Sequence, residues 1–305
     1  MKATLASVWA SVVLVVLGTQ LPGSAAAELL LTVSGSNIGD DVLRTIDSTD
    51  GSTVDASVTI TLAGHTVRKA TGLARHPQTG VLYALLRLEA PIQFPALVTL
   101  DEVTGVATSI GNTQDDFAGI AFGADGTLYA VSGDGGAVPE WLYTLDITNA
   151  SETLVLELGN GDDGETIAFN PDDGLLYHAS GLGTQNNVNM GEIFETIDPG
   201  TLVITNVPLS GFDYEGLSSL LYRNGAFFAG DLNPGGSSRF FRITTGGVVT
   251  HLGDMDHVAK GLVVVTPAVP AVPALSTAML ALLAGTLLLL ICGRMTLSAR
   301  RPSCP

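Results

Sequence analysis

Apolar and polar positions along most of this chain fall into short runs, alternating or wholly apolar, cut by Gly, Asp and Asn. That pattern predicts short strands joined by tight turns. Four such runs recur in a fixed order. A short apolar strand leads into a turn such as Asp125-Gly126 or Asp173-Gly174, and a second strand follows that carries Tyr83, Tyr129, Tyr177 or Phe227. A third strand reads "LVTLD", "LYTLD", "FETID" or "FFRIT", and a Gly-containing turn leads to a fourth that commonly ends in Gly. No amphipathic helix of useful length interrupts the pattern.

The units align as "GLARHPQTGVLYALL" from Gly72, "GIAFGADGTLYAVSG" from Gly119, "TIAFNPDDGLLYHAS" from Thr166 and "GLSSLLYRNGAFFAG" from Gly216, with a last start, "GLVVV", at Gly261. Spacings of 45 to 50 residues suit the blades of a propeller. The N-terminal part enters the pattern late: "LLLTVSG" matches "TLYAVSG", and "LRTID" matches "LYTLD". Residues 29 to 64 therefore supply three strands, and "GLVVV" supplies the missing first one. The expectation is an all-β, five-bladed β-propeller over residues 28–266, closed by pairing its N- and C-terminal strands. An open sandwich is the alternative.

Both ends of the sequence carry other signals. Met1 and Lys2, an apolar run and the small-x-small site Ala25 to Ala27 predict a secretory signal peptide over 1–27. Residues 274–292 are uncharged, long enough for a transmembrane helix, and Arg294, Arg300 and Arg301 follow in a basic tail, 293–305, expected on the cytoplasmic side. The segment 267–273 is a Pro-rich linker. The order Val272-Pro273-Ala274-Leu275-Ser276, then a spanning segment, then Arg-Arg resembles the C-terminal sorting signals of exported bacterial proteins, the PEP-CTERM class and its IPTL-like variant. The resemblance implies an exosortase-type sorting peptidase as partner, cleavage near the Pro motif and transfer to the cell surface. Plain single-pass anchoring is the competing reading. Either way the protein is expected to be exported, periplasmic or at the cell surface.

Charge narrows the partners. All 30 Asp and Glu but only nine of the 13 Lys and Arg fall within residues 28–273, a formal charge of −21. Such a surface repels nucleic acid and anionic lipid. Cys292 and Cys304 are the only cysteines, so the predicted propeller has neither disulfides nor Cys-based zinc sites.

Strand alternation puts the turns between first and second strands, and between third and fourth, on one face. The longer loops, among them "SGDGGAVPE" and "SGLGTQNNVNMGE", lie on the other, where binding residues concentrate. Asp116, Asp163 and Asp213 stand three residues before a repeat start, and Glu165 and Glu215 directly before one. Brought together at the channel mouth, two carboxylates about 6 Å apart repel by about 3 kcal/mol. Ca²⁺ with these oxygen ligands, helped by Asn187 or Asn233, is the metal expectation; a solvated acidic rim is the other reading. The run Phe212-Asp213-Tyr214-Glu215-Gly216-Leu217 resembles the "DxEG" run of esterase-like phytase-family propellers, which implies phosphoester hydrolysis at a metal-loaded mouth. Cations for phosphate are scarce there: Arg68 and Lys69 in one loop, Arg239 near another.

No Gly-x-Ser-x-Gly elbow, His-Glu-x-x-His or P-loop is present. His65, His178 and His257 are read as solvated loop residues, the Tyr row as packing between blades, and Asp47, Asp101, Asp146 and Asp198 as turn residues bonding the local backbone. The sequence thus points to a surface-anchored binding or structural module for an unidentified extracellular ligand rather than to an enzyme. The alternative is a metal-dependent hydrolase of phosphoesters or lactones.

Overall fold

The computed structural model describes residues 28–34, 41–133, 136, 140–158, 166–185, 188–211, 216–231 and 238–266, with 182–192 through their backbone only. The predicted signal peptide, sorting motif, transmembrane segment and basic tail lie outside these residues. Among the described residues no helix is long and apolar enough to cross a membrane. The chain divides after Val265 into two units, and the second is outside the description apart from Thr266.

Among the described residues there are twenty-one strands in chain order. The first are β1 (Leu29–Ser34), β2 (Val42–Asp47), β3 (Val58–Thr59) and β4 (Thr61–Leu62). Then come β5 (Val67–Arg75), β6 (Leu82–Leu88), β7 (Ala96–Leu100) and β8 (Val106–Asn112). The next four are β9 (Phe117–Phe122), β10 (Leu128–Ser132), β11 (Trp141–Leu145) and β12 (Glu152–Glu157). They are followed by β13 (Thr166–Asn170), β14 (Leu175–Gln185), β15 (Val188–Ile197) and β16 (Ile204–Asn206). The last are β17 (Leu217–Arg223), β18 (Ala226–Asp231), β19 (Arg239–Thr244), β20 (Val249–Asp254) and β21 (Ala259–Val264).

These strands form five antiparallel blades. Blade one is β21-β1-β2-β3, blade two β5-β6-β7-β8, blade three β9 to β12, blade four β13 to β16 and blade five β17 to β20. The first strands of the blades contact one another in a closed ring, β5 to β9 to β13 to β17 to β21 and back to β5. The predicted closure is present: Leu30 and Leu31 of β1 pair with Val264 and Val263 of β21. One strand differs from expectation. The segment after blade one crosses over as β4 and adds a fifth strand to blade two, parallel to β8 through Thr61–Val106 and Leu62–Ala107.

The repeat motifs have local causes. Asp101 Oδ1 accepts from the Val103 and Thr104 amides at 3.0 and 2.8 Å. Asp146 holds Thr148 at 2.7 Å, Asp198 holds Gly200 at 2.8 Å and Asp47 holds Thr49 at 2.7 Å. A short acceptor side chain thus closes each of these third strands by fixing the next turn. The Gly that opens a first strand answers to crowding at the axis. At Gly261, φ is +77°, and a Cβ would lie 2.5 Å from the Leu73 amide nitrogen of the neighbouring inner strand.

Five buried apolar clusters, one per blade interface, make the core. The Tyr row serves that packing, as read from sequence: Tyr83 meets Phe122 edge-on at 5.2 Å and Tyr177 meets Phe227 at 4.4 Å. At the tight-turn end of the axis a cavity of about 210 Å³ is lined by all five inner strands, with Leu73, Ile120, Ile167, Leu220 and Val263 among its walls. The described chain also begins and ends on this face: Glu28 precedes β1 there, and the Val265 amide donates to Leu29 O at 3.0 Å.

Candidate functional site

At three blade interfaces buried charged groups join the packing towards the loop-rich face. The apolar clusters run the length of the strands, with Val33, Val67, Leu88 and Val131 at loop-side ends among them, and most of the buried polar and charged groups lie at those loop-side ends. Three of these groupings are well defined.

Between blades two and three, Arg87 at the end of β6 makes an ion pair with Asp116, just before β9. Asp116 is buried and sits in a tightly held loop. Its amide donates to Asp115 Oδ1 at 2.8 Å, its carbonyl accepts from the Gly133 amide at 2.9 Å, and Thr113 Oγ1 donates to Asp115 O at 2.9 Å. Of the five acidic residues predicted to converge, Asp116 therefore already has a cationic partner. Asp163, Glu165, Asp213 and Glu215, with Asn187 and Asn233, lie outside the described residues. Among the described residues no group of three or more His, Cys, Asp or Glu is arranged to hold a metal ion.

Between blades three and four, Glu140 enters from the β10–β11 loop with φ of +64°. It accepts from Ser180 Oγ at 2.7 Å, and its other oxygen lies 3.5 Å from His178 Nε2. On the far side of the ring, His178 Nδ1 pairs with Glu195 Oε1 at 3.1 Å. All four residues are at most 2% exposed. His178 is thus a strand residue of β14 with no access to solvent, which corrects its reading as a solvated loop residue. Two carboxylates flanking one imidazole make a buried pairing that is costly to break from one side.

Between blades five and one, Asp231 at the end of β18 is fully buried. It accepts from the Arg239 amide at 2.6 Å and from the guanidinium at 2.6 and 2.5 Å. Burial nonetheless pushes the Asp231 carboxyl above the ordinary carboxylate range, in spite of Arg239. Ser238 Oγ donates to Asp231 O at 2.5 Å and accepts from the Ala259 amide at 3.1 Å. Ser218 Oγ donates to Ala259 O at 2.8 Å, so the network runs across to the inner strand of blade one. His257 is buried beside Asp256 at 2.8 Å and is not a solvated residue either, whereas His65 is exposed as expected. Arg239, counted as a phosphate-holding candidate, is committed to Asp231.

Two further sequence expectations change. Arg68 and Lys69 belong to β5 and not to a loop. The segment "SGLGTQNNVNMGE" is no irregular loop: β14 and β15 continue through it as a hairpin, with Leu182 opposite Glu192 and Gln185 opposite Val188.

No family model matches the chain, and no curated protein matches it. Among solved structures, it is similar to a chain of a nidogen/laminin complex, at 12% identity and a TM-score of 0.48, covering 79% of this chain and 99% of that one. It is also similar to TolB from Acinetobacter baumannii, at 14% identity and a TM-score of 0.49, covering 77% of this chain and 55% of that one. The chain thus spans about half the length of TolB.

The charged groups missed in the sequence, Arg87, Glu140, Glu195 and Asp231, left one usable trace. In the aligned blades His178 opposes Glu195 where blade two has Ala84 opposite Val98 and blade three has Ala130 opposite Tyr143. A His–Glu pair in an apolar column marks the polar interface.

Proposed function

We propose that this chain is an exported, surface-anchored propeller that works as a binding module through its loop-rich face. The observation that carries the reading is the set of buried charged groups at the loop-side ends of three blade interfaces. Buried ion pairs and hydrogen-bond networks fix the loop-side ends of the strands, while the opposite end of the axis is apolar and bounded by tight turns. Rigidly held strand ends beneath variable loops suit recognition. Anchoring through the C-terminal segment and processing by an exosortase-type peptidase belong to the same proposal and rest on the sequence motif.

Metal-dependent hydrolysis is the competing reading, favoured by the register of Asp163, Glu165, Asp213 and Glu215 before the repeat starts. The two readings separate in one assay. The full chain is incubated with p-nitrophenyl phosphate and with a simple lactone, with and without Ca²⁺, beside an Asp213→Asn/Glu215→Gln variant. A binding module gives the same background rate in every arm. Ca²⁺-dependent turnover lost in the double variant would replace this reading with the hydrolase.

A further inference from the structure

We propose that the loop-side end of the blade two and three interface, built from Arg68, Lys69 and Arg87, is a binding site for an oxyanion group, the carboxylate, sulfate or phosphate of an acidic ligand. It goes beyond the binding-module reading, because the site stands whether or not the acidic loops bind metal.

The geometry begins with strand register. Lys69 of β5 lies directly opposite Arg87 of β6, and β-bulges flank it on both sides, between Val67 and Lys69 and between Ala70 and Gly72. Cross-strand partners share a face, and like charges directly opposite each other are destabilising. The shared face is the blade-three side, since Arg87 reaches Asp116 there. Arg68 adds a third cation at the neighbouring position. Only nine basic residues serve the whole stretch 28–273, so three gathered at one strand end are not a consequence of composition.

Their charge is not balanced by neighbours. Among the described residues Asp116 is the one carboxylate within ion-pair distance of the three, and it pairs with Arg87. Neither Arg68 nor Lys69 has a described acidic partner. Lys69 is half-buried, and burial followed by the charges of Arg87 and Arg68 pulls its ammonium below the usual lysine range. Arg87 Nε is buried without a hydrogen-bond partner, a donor left over beside the pair with Asp116. An oxyanion supplies what is missing: negative charge opposite two unpaired cations and an acceptor for a buried N–H. The acidity of the rest of the domain does not forbid it, because charges more than about 8 Å away are largely screened at physiological ionic strength.

The test is calorimetric titration of the full chain with sodium sulfate, sodium phosphate and sodium glucuronate, with NaCl holding ionic strength constant. Saturable one-site binding of at least one of them is expected, and which one binds distinguishes the ligand's source. Lys69→Gln should weaken it by about tenfold or more. Lys69→Arg should retain it, and Arg242→Gln, an exposed cation on β19, should leave it unchanged. Asp116→Asn, by freeing Arg87, should tighten it, an effect no general destabilisation produces. No saturable binding, or equal affinities in wild type, Lys69→Gln and Arg242→Gln, would overturn the site. Weaker binding in Asp116→Asn would overturn the assigned role of Arg87. Should that variant not fold, the Lys69 pair decides alone.

Discussion

Gly261 and Leu73 meet where the ring closes: a Cβ on Gly261 would stand 2.5 Å from the Leu73 amide nitrogen, and the glycine holds φ at +77°. Gly261→Ala must therefore both strain the backbone and push two inner strands apart. A loss of about 2–5 kcal/mol is expected, from left-handed strain of about 1–2 kcal/mol and overpacking of about 1–3 kcal/mol. Gly225 has φ of +80° but nothing within 4 Å of its Cβ position, so Gly225→Ala should lose only the strain part. Denaturant unfolding of the two variants compares them, and equal losses would mean that the axis is not crowded.

The buried cluster between blades three and four predicts strong coupling. Removing the ring leaves Glu195 buried without its 3.1 Å partner and opens a cavity, so His178→Ala should cost about 1–3 kcal/mol or more. His178→Ala with Glu195→Val, which restores the Ala–Val pair of blade two, should be less harmful than the sum of the single changes, with a coupling of about 0.5–3 kcal/mol. Additive losses in a double-mutant cycle would show that the histidine and the glutamate act separately.

The turn aspartates set the acid limb of stability. Hydrogen bonds from the turn backbone and neighbouring hydroxyls hold Asp101, Asp146 and Asp198 below the ordinary value of 3.8. A carboxyl whose pKa is depressed on folding stabilises above its unfolded value, and that contribution fades as pH falls through the folded one. Melting temperature should therefore drop with pH below 3.8. The drop should be shallower in the triple variant Asp101→Asn/Asp146→Asn/Asp198→Asn, whose amides accept the same bonds without titrating. Parallel pH profiles would remove the turns as the cause.

Much of this fold was readable because a repeat is a control on itself. The "LVTLD" and "LYTLD" ends, the Asp-Gly and Gly turns and the starts at Gly72, Gly119 and Gly261 answer to local requirements that recur in most blades, with Thr166 in the glycine's place in blade four and Thr244 in the aspartate's in blade five. Pairing across the closure followed from the phase of "LLLTVSG". What escaped the reading was set by neighbours distant in sequence. His178 looks like a loop residue until β14 is seen to run on to Gln185, and Glu140 meets it from the preceding blade, 38 residues away. Asp116 sits in register with Asp163 and Asp213, but register alone does not show that Arg87 waits opposite it. The crossing of β4 to blade two likewise depends on β8, far along the chain.

Calcium at the acidic loops carries a separate prediction. Ligands that bind only the folded state stabilise it by mass action, by about 2.7 kcal/mol at a concentration one hundredfold above Kd. CaCl₂ should raise the melting temperature of the full chain more than NaCl at matched ionic strength, and Asp213→Asn with Glu215→Gln should abolish the difference. Because Asp116 is paired with Arg87, Asp116→Asn should leave the Ca²⁺ effect intact. Equal shifts by the two salts would reduce the acidic loops to a solvated rim.

Hydrogen–deuterium exchange of the full chain, with and without saturating sodium sulfate, phosphate or glucuronate at matched ionic strength, tests the loop face as the working surface most directly. Protection is expected in the segments 66–70, 86–93 and 113–116, with the turns at 76–80, 123–126 and 170–174 exchanging as before. Protection confined to those turns, or no change anywhere, would contradict recognition through the loop-rich face.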